Sequence, residues 1–267
     1  MNSLIHPTAI IDAGAELGDG VSIGPYSIVG PNVTVGDGCE LMSHAVVTGN
    51  TTMGKGNRVF PFSSIGQIPQ DLKYHGEPSE VIIGDNNQIR ENVTINAGTE
   101  GGGMVTRIGN NNLLMAYTHI AHDCVLGNNI VLANCATLAG HVEVDDQAII
   151  GGLSAVQQFV RIGRLAMIGG MSGVTKDVAP YCLLAGGYRA GLSGLNLVGL
   201  KRKGFNTTQI GRLKEIYRIL LQESGKRGER LDEAESLLQE GDDVAREIIE
   251  FVRSAKRGLM THGRESA

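Results

Sequence analysis

Aliphatic residues recur every six positions along most of this chain, and no other feature restricts its fold as tightly. The series runs Ile5, Ile11, Leu17, Ile23, Val29, Val35, Leu41, Val47, Met53, Val59, Ile65, then pauses and returns at Ile83, Ile89 and Ile95. After a second pause it holds for twelve consecutive positions, from Ile108 to Val174. Two residues before each aliphatic stands something small or β-branched, such as Ala15, Val21, Ala45, Thr118, Ala136 or Ala166, and a glycine often follows, as at Gly18, Gly24, Gly36 and Gly127. A period of six is neither the 3.6 of a helix nor the two of a long strand. It suits a short strand whose small residue and aliphatic both face inward, followed by a corner. The glycines and the Asn-rich runs (Asn110-Asn111-Asn112, Asn128-Asn129) are expected to supply conformations that other residues resist. Three such units close a triangular coil of 18 residues, and stacked coils pair their strands at a spacing of ~4.8 Å. A β-sandwich is excluded, because its turn signals would recur at roughly 8–12 residues.

This hexapeptide repeat resembles the left-handed parallel β-helix family, and the handedness comes from that resemblance, since it runs against the usual right-handed crossover. Composition agrees with such a core. Hydrophobic residues make up 42%, yet aromatics are only 4% and tryptophan is absent, so the interior must be aliphatic. The net charge of -5 argues against a nucleic-acid binder. No apolar run approaches the ~18 residues of a membrane span, and the first residues lack the basic-then-apolar pattern of an export signal. Four cysteines without a CxxC pair read as reduced thiols of a cytoplasmic protein.

Both pauses read as loops extruded from one corner of the coil, near 66–81 and 96–107. The first is polar and holds Asp71 and Lys73; the second carries Gly101-Gly102-Gly103, which lacks the Lys-Ser/Thr of a phosphate cradle and reads as flexible. Residues 1–190 are expected to form the β-helix and 191–267 a small helical domain. Asn206 can cap a helix with the apolar stripe Ile210, Leu213, Ile216, Tyr217, Leu220, Leu221, and shorter helical patterns follow around Ala234–Leu238 and Val244–Val252. Residues 191–267 hold 14 basic and 12 acidic side chains against 9 and 16 in residues 1–190, so the tail is either an ordinary charged surface or a docking face for an acidic partner.

A coil of 18 residues aligns the corners. His122 is the second residue after Ile120; the same place one coil later is Gly140, then Gln158, while His119 precedes Ile120 and His141 sits beside Gly140. Three histidines therefore gather along one edge. They can serve as zinc ligands, which must converge at ~2.0–2.1 Å, or one can serve as a general base. His119, His122 and His141 fall on different faces of strand and corner, which speaks against convergence on a metal. His122-Asp123 supplies a base with an adjacent carboxylate to orient it, and Gly140 an unobstructed N–H for a developing oxyanion. Base catalysis, and hence acyl transfer from a thioester, is the favoured reading.

The stretches His119-Ile120-Ala121-His122-Asp123-Cys124, Gln70-Asp71-Leu72-Lys73-Tyr74, Thr137-Leu138-Ala139-Gly140-His141 and Gly199-Leu200-Lys201-Arg202 resemble the UDP-N-acetylglucosamine O-acyltransferases that open lipid A synthesis. That resemblance covers nearly the whole chain. It implies a cytoplasmic homotrimer that moves a (3R)-3-hydroxyacyl group from acyl carrier protein to the sugar 3-hydroxyl, without metal or diffusible cofactor. Residue by residue it implies His122 as base, Asp123 as orienting carboxylate and Gly140 as oxyanion donor. Asp71, Lys73, His119, His141 and Gln158 are then substrate-positioning, Asn196 and Arg202 lie at the nucleotide, and Gly170 with Met167 limits acyl length. Strand spacing puts Gly170 ~13 Å along the axis from His122, and a glycine there leaves room for a longer chain, roughly fourteen carbons, unless Met171 shortens it.

Asn96, Gln157 and Val198 depart from the family pattern, where many members carry two histidines and a glutamate. Amides hydrogen-bond but cannot become cationic, so the acceptor is the feature at stake, for example a 3-amino sugar nucleotide. The remaining rivals are an N-acyltransferase of the same pathway, whose extra N-terminal uridine-binding domain has no room before Ile5, and a β-helical zinc carbonic anhydrase or non-enzymatic scaffold. Cys39 and Cys124 fall on inward positions and read as packing residues, with Cys135 at the surface.

Overall fold

The computed structural model describes residues 4–187 and 190–261. The hexads become strands of two to four residues that stack into three parallel sheets, the walls of a triangular prism. The first wall starts at Leu4–Ile5, the second at Ile10–Ile11 and the third at Glu16–Leu17. Leu4 pairs with Ser22 and Ile10 with Ile28, so a coil takes 18 residues, as the sixfold spacing predicts. From Ile23 to Val174 the aliphatic of each hexad is buried in one continuous column, whose removal from water drives the stacking. Val59 pairs with Ile89 and Ile89 with Leu114, registers of 30 and 25 residues. The surplus leaves between Gln67 and Glu80 and between Asn96 and Val105 without displacing a wall.

The Asn-rich runs supply left-handed corners as expected, at Asn111 (φ 58°) and Asn129 (56°), but other residues take the same conformation, including Tyr26 (58°), Phe62 (64°), His141 (61°) and Phe159 (63°). The glycines after the aliphatics do a different job. At Gly36 φ is not positive, but a Cβ would lie 2.6 Å from the Gly54 carbonyl oxygen of the next coil, so close stacking excludes a side chain there. The corner between the first and second walls presents Tyr26, Phe62, Tyr117, Leu153 and Met171 to solvent, an apolar stripe along the prism.

Cys182–Ala185 continues the first wall and Gly191–Leu195 pairs antiparallel with it, so that wall runs on past residue 190. Helices follow: α1 (Leu197–Arg202), α2 (Thr207–Tyr217), α3 (Arg227–Ser236) and α4 (Asp243–Ser254). Asn206 caps α2 in a reciprocal box with Gln209, and every residue of the expected stripe is buried, the last two in a single π turn through Gln222. α3 begins earlier than the apolar pattern suggests, because its first turn, Arg227 to Arg230, is polar. α4 docks on the last coils through Arg164 and Glu247 (2.6 Å), both of which also bond the buried Tyr181 hydroxyl, and through Arg161 over the Phe251 ring (4.6 Å). Residues 262–267 of the expected tail lie outside the described residues. No helix among the described residues is long and apolar enough to cross a membrane.

Candidate active site

Where the second wall turns into the third, three successive coils place Asp123, His141 and Phe159 in the corner conformation one above another. The backbone ladder continues through the turn: the His141 N–H donates to the His122 carbonyl (3.0 Å) and the Phe159 N–H to that of Gly140 (3.2 Å). His122 and Asp123 are each only 5% exposed. Nδ1 of His122 lies 2.7 Å from Oδ2 of Asp123, while its Nε2 faces Oδ2 of Asp71, on the first loop, at 3.8 Å. The His141 ring meets His122 edge-on (centroids 5.0 Å) and stacks on Phe159 (4.3 Å, 11° between planes), with its Nε2 3.8 Å from Asp123 Oδ2. The alignment by coils thus brings His122, Asp123, Gly140 and His141 together, with Asp71 reaching over them. A Cβ on Gly140 would sit 2.5 Å from Nε2 of His122 and closer still to Cε1, so only glycine lets this backbone lie against the ring. The Gly140 N–H donates to no backbone acceptor among the described residues.

The second loop differs from its flexible reading. Thr99 donates its N–H to Oδ1 of Asp123 (2.8 Å) and its hydroxyl to Oδ2 (2.5 Å). Glu100–Gly102 form a 3-10 turn closed by the Gly102 and Met104 N–H groups on the Thr99 carbonyl (3.0 and 2.9 Å). Gly102 lies so close to Asp123 that a Cβ there would collide with the carboxylate. Composition alone gave no reason for order, but the register did: Ile95 pairs with Ile120, so the chain after Asn96 leaves the prism directly over the turn that holds His122 and Asp123. Phe159 was legible in the same way, as the corner residue 18 after His141.

Charge is unevenly distributed. The Lys73 N–H, bonded to Oδ1 at 3.0 Å, holds the Asp71 carboxyl below the usual carboxylate range. Burial pushes His119 and His141 down, favouring neutral rings. His122, Asp123 and His141 can offer ligand atoms within 4.8 Å of one another, the set among the described residues that could face a metal; His119 is not in it. Its closest pair, at 2.7 Å, has the geometry of a hydrogen-bonded dyad rather than of two ligands spread around an ion.

The other predicted residues are dispersed. His119 faces outward on the second wall with Nδ1 2.7 Å from the Thr94 hydroxyl, and Lys73 and Gln158 are exposed. Gly170, exposed beside Met171, is on the corner between the first and second walls, and half-buried Met167 is on the first wall. Asn196 caps α1 by accepting the Gly199 N–H (3.0 Å) and donates to the Leu165 carbonyl (3.0 Å) at the corner between the third and first walls. Arg202 is exposed at the end of α1. The predicted base, acyl-length and nucleotide residues therefore stand on three different corners of one chain. Of the departures, Gln157 and Val198 are exposed, and Asn96 is buried, donating to the Ile68 carbonyl (2.9 Å) at the root of the first loop. Cys39 and Cys124 are buried and donate to backbone carbonyls (3.1 and 3.2 Å), with burial pushing the Cys124 thiol up to about 12; neither is a nucleophile at neutral pH. A cleft of about 740 Å³ runs from Asp123, His141 and Phe159 past Arg161 to Lys256 and Arg257 beyond α4.

Residues 177–260 match the family model described as UDP N-acetylglucosamine O-acyltransferase, domain 2. Residues 2–37, 14–49 and 106–140 match the bacterial transferase hexapeptide. The chain is 51% identical over 256 residues to an acyl-[acyl-carrier-protein]–UDP-N-acetylglucosamine O-acyltransferase of Aliarcobacter butzleri, covering 96% of this chain and 97% of that one. It is 47% identical to the enzyme of that name from Janthinobacterium, covering 97% and 99%. Among solved structures it is similar to LpxA from Acinetobacter baumannii (TM-score 0.94, 41% identity, 96% and 99% covered). It is likewise similar to the UDP-N-acetylglucosamine acyltransferase of Francisella novicida (0.93, 37%, 98% and 96%). These likenesses extend over the whole prism and establish the left-handed sense of its coil.

Proposed function

This chain belongs to the UDP-N-acetylglucosamine O-acyltransferase family, and from that premise we propose that it transfers a (3R)-3-hydroxyacyl group from acyl carrier protein to the 3-hydroxyl of UDP-N-acetylglucosamine, the opening step of lipid A synthesis, with His122 as general base. The observation that carries the mechanism is the His122 ring held by Asp123 at Nδ1 (2.7 Å) with Nε2 turned toward the loop carboxylate of Asp71. Nε2 removes the proton of the sugar hydroxyl as its oxygen bonds the thioester carbon. The carbonyl oxygen becomes an oxyanion facing the Gly140 N–H. When the C–S bond breaks, the thiolate takes the proton back from Nε2, and ester and carrier thiol leave. Asp123 stabilises the transient imidazolium and keeps Nδ1 protonated. The step needs no metal or redox group.

The working unit is a homotrimer. Two observations support it: the exposed apolar stripe from Tyr26 to Met171 is what a second copy would cover, and His122, Gly170 and Asn196 stand on separate corners, so they can face one another only between copies. A neighbour's Gly170, with Met167, then lines the acyl groove that begins at His122. A neighbour's Arg202 presents a guanidinium to the nucleotide phosphates, with Asn196 acting through the cap it makes. Lys73, His119, His141 and Gln158 position the sugar, and both substrates are cytoplasmic. A second acceptor, a 3-amino sugar nucleotide, is suggested by Asn96, a neutral amide at a place where many members of the family carry a histidine.

Mass spectrometry of the product formed from mixed hydroxyacyl carriers and both sugar nucleotides tests the reading. An O-acylated UDP-N-acetylglucosamine is expected. An N-acylated product alone moves the assignment to the amino sugar, and no acylated nucleotide overturns it.

A further inference from the structure

The chain spends unusual effort on Asp123. Three donors surround its carboxylate, the Thr99 N–H on Oδ1 (2.8 Å), the Thr99 hydroxyl on Oδ2 (2.5 Å) and His122 Nδ1 on the same Oδ2 (2.7 Å), and its own N–H is fixed by donating to the Thr106 hydroxyl (2.9 Å). Both threonines come from the second extruded loop or the strand that ends it, and Thr99 is only 4% exposed. Gly102 closes the cage, since any side chain there would occupy the space of the carboxylate. The same turn reaches the first loop: the Glu100 N–H donates to Oε1 of Glu77 (3.2 Å), whose Oε2 accepts the His75 N–H (2.8 Å). The carboxylates on the two sides of the imidazole, Asp71 and Asp123, are thus held by two loops that share Glu77.

A lone carboxylate beside an imidazole can rotate about its side-chain torsions and lose its aim. Two donors from one residue, one on each oxygen, fix the plane of the group and leave a defined lone pair of Oδ2 for Nδ1. We propose that Thr99 is a positioning residue for the acyl transfer: it sets the plane of Asp123, and through it the tautomer of His122 that leaves Nε2 free to accept a proton. The inference rests on the reading of His122 and Asp123 as the base and its orienting partner.

The test compares Thr99→Val, which removes the hydroxyl at constant shape, with Thr99→Ser, which restores it, and Gly102→Ala, which pushes the carboxylate aside by another route. Thr99→Val and Gly102→Ala are expected to lower kcat by about ten- to a hundredfold, by analogy with partners that orient metal-binding imidazoles, with KM for both substrates within about twofold. Thr99→Ser returns most of the rate. The ¹⁵N spectrum of labelled His122, recorded well below each variant's melting temperature, is expected to move from a single tautomer toward a mixture in the first two variants only, and this readout stands even where stability is reduced. Wild-type kcat and an unmoved spectrum in Thr99→Val and Gly102→Ala overturn the inference, as does a loss that Thr99→Ser fails to restore. Asp123→Asn separates the two levels: wild-type kcat there defeats the dyad itself, whereas a large loss there with an unchanged Thr99→Val defeats only the role of Thr99.

Discussion

Gly140→Ala is the sharpest perturbation of the proposed mechanism, because it preserves the N–H proposed to face the oxyanion while disturbing the proposed base, His122. The added Cβ would stand 2.5 Å from Nε2 of His122 and nearer to Cε1, so the ring must retreat by about 1 Å to recover ordinary contact. It cannot do so freely, since Nδ1 is tied to Asp123 at 2.7 Å. A 1 Å retreat either breaks that charge-assisted bond or tilts Nε2 away from the sugar hydroxyl. Misplacement on that scale costs about a hundredfold in rate, roughly 2.7 kcal/mol of barrier. Gly140 does not have positive φ, so alanine introduces no backbone strain and the coil should hold. Steady-state transfer of a 3-hydroxyacyl group to UDP-N-acetylglucosamine, with thermal melting alongside, is the assay. A kcat lower by about two orders of magnitude with a nearly unchanged melting temperature is expected. A kcat within about threefold of wild type would show that the close approach of Gly140 to the ring has no bearing on the chemistry.

Three further outcomes follow. Burial holds His119 and His141 below the ordinary histidine value. Between their folded values and about 6.5 the unfolded chain therefore binds more protons, and stability falls as pH drops through that window; melting curves from pH 7.5 to 5.5 should show the loss, with a shallower slope in a His119→Gln, His141→Gln double variant. Gly170→Met should shorten the preferred acyl chain. If base and acyl-length residues come from different subunits, co-expression of His122→Ala with a blocked Gly170→Trp chain should regenerate about one site in four by random mixing, whereas no recovery would place both in one subunit.

The prism was legible because its constraint is local and repeated. Each aliphatic reports on its own coil, and the 18-residue return brought Gly140 and His141 onto His122 without any three-dimensional knowledge. The loops were the weak point. Gly101-Gly102-Gly103 looks flexible by composition, and its order comes from a tertiary partner, Asp123, that lies more than a coil away in sequence. By local propensity the glycines after the aliphatics are turn formers, whereas contacts with the next coil are what exclude their side chains. Asn196 shows a third kind of gap: its side chain is spent on the α1 cap and on Leu165, a structural commitment that a motif does not reveal.

The proposed transfer turns on a proton moving to His122. Single-turnover transfer by His122→Ala, with the fold verified by circular dichroism, measures that most directly: general-base removal predicts a rate lower by about 10²–10⁴-fold with the sugar nucleotide still bound, and a rate within about tenfold of wild type would contradict it.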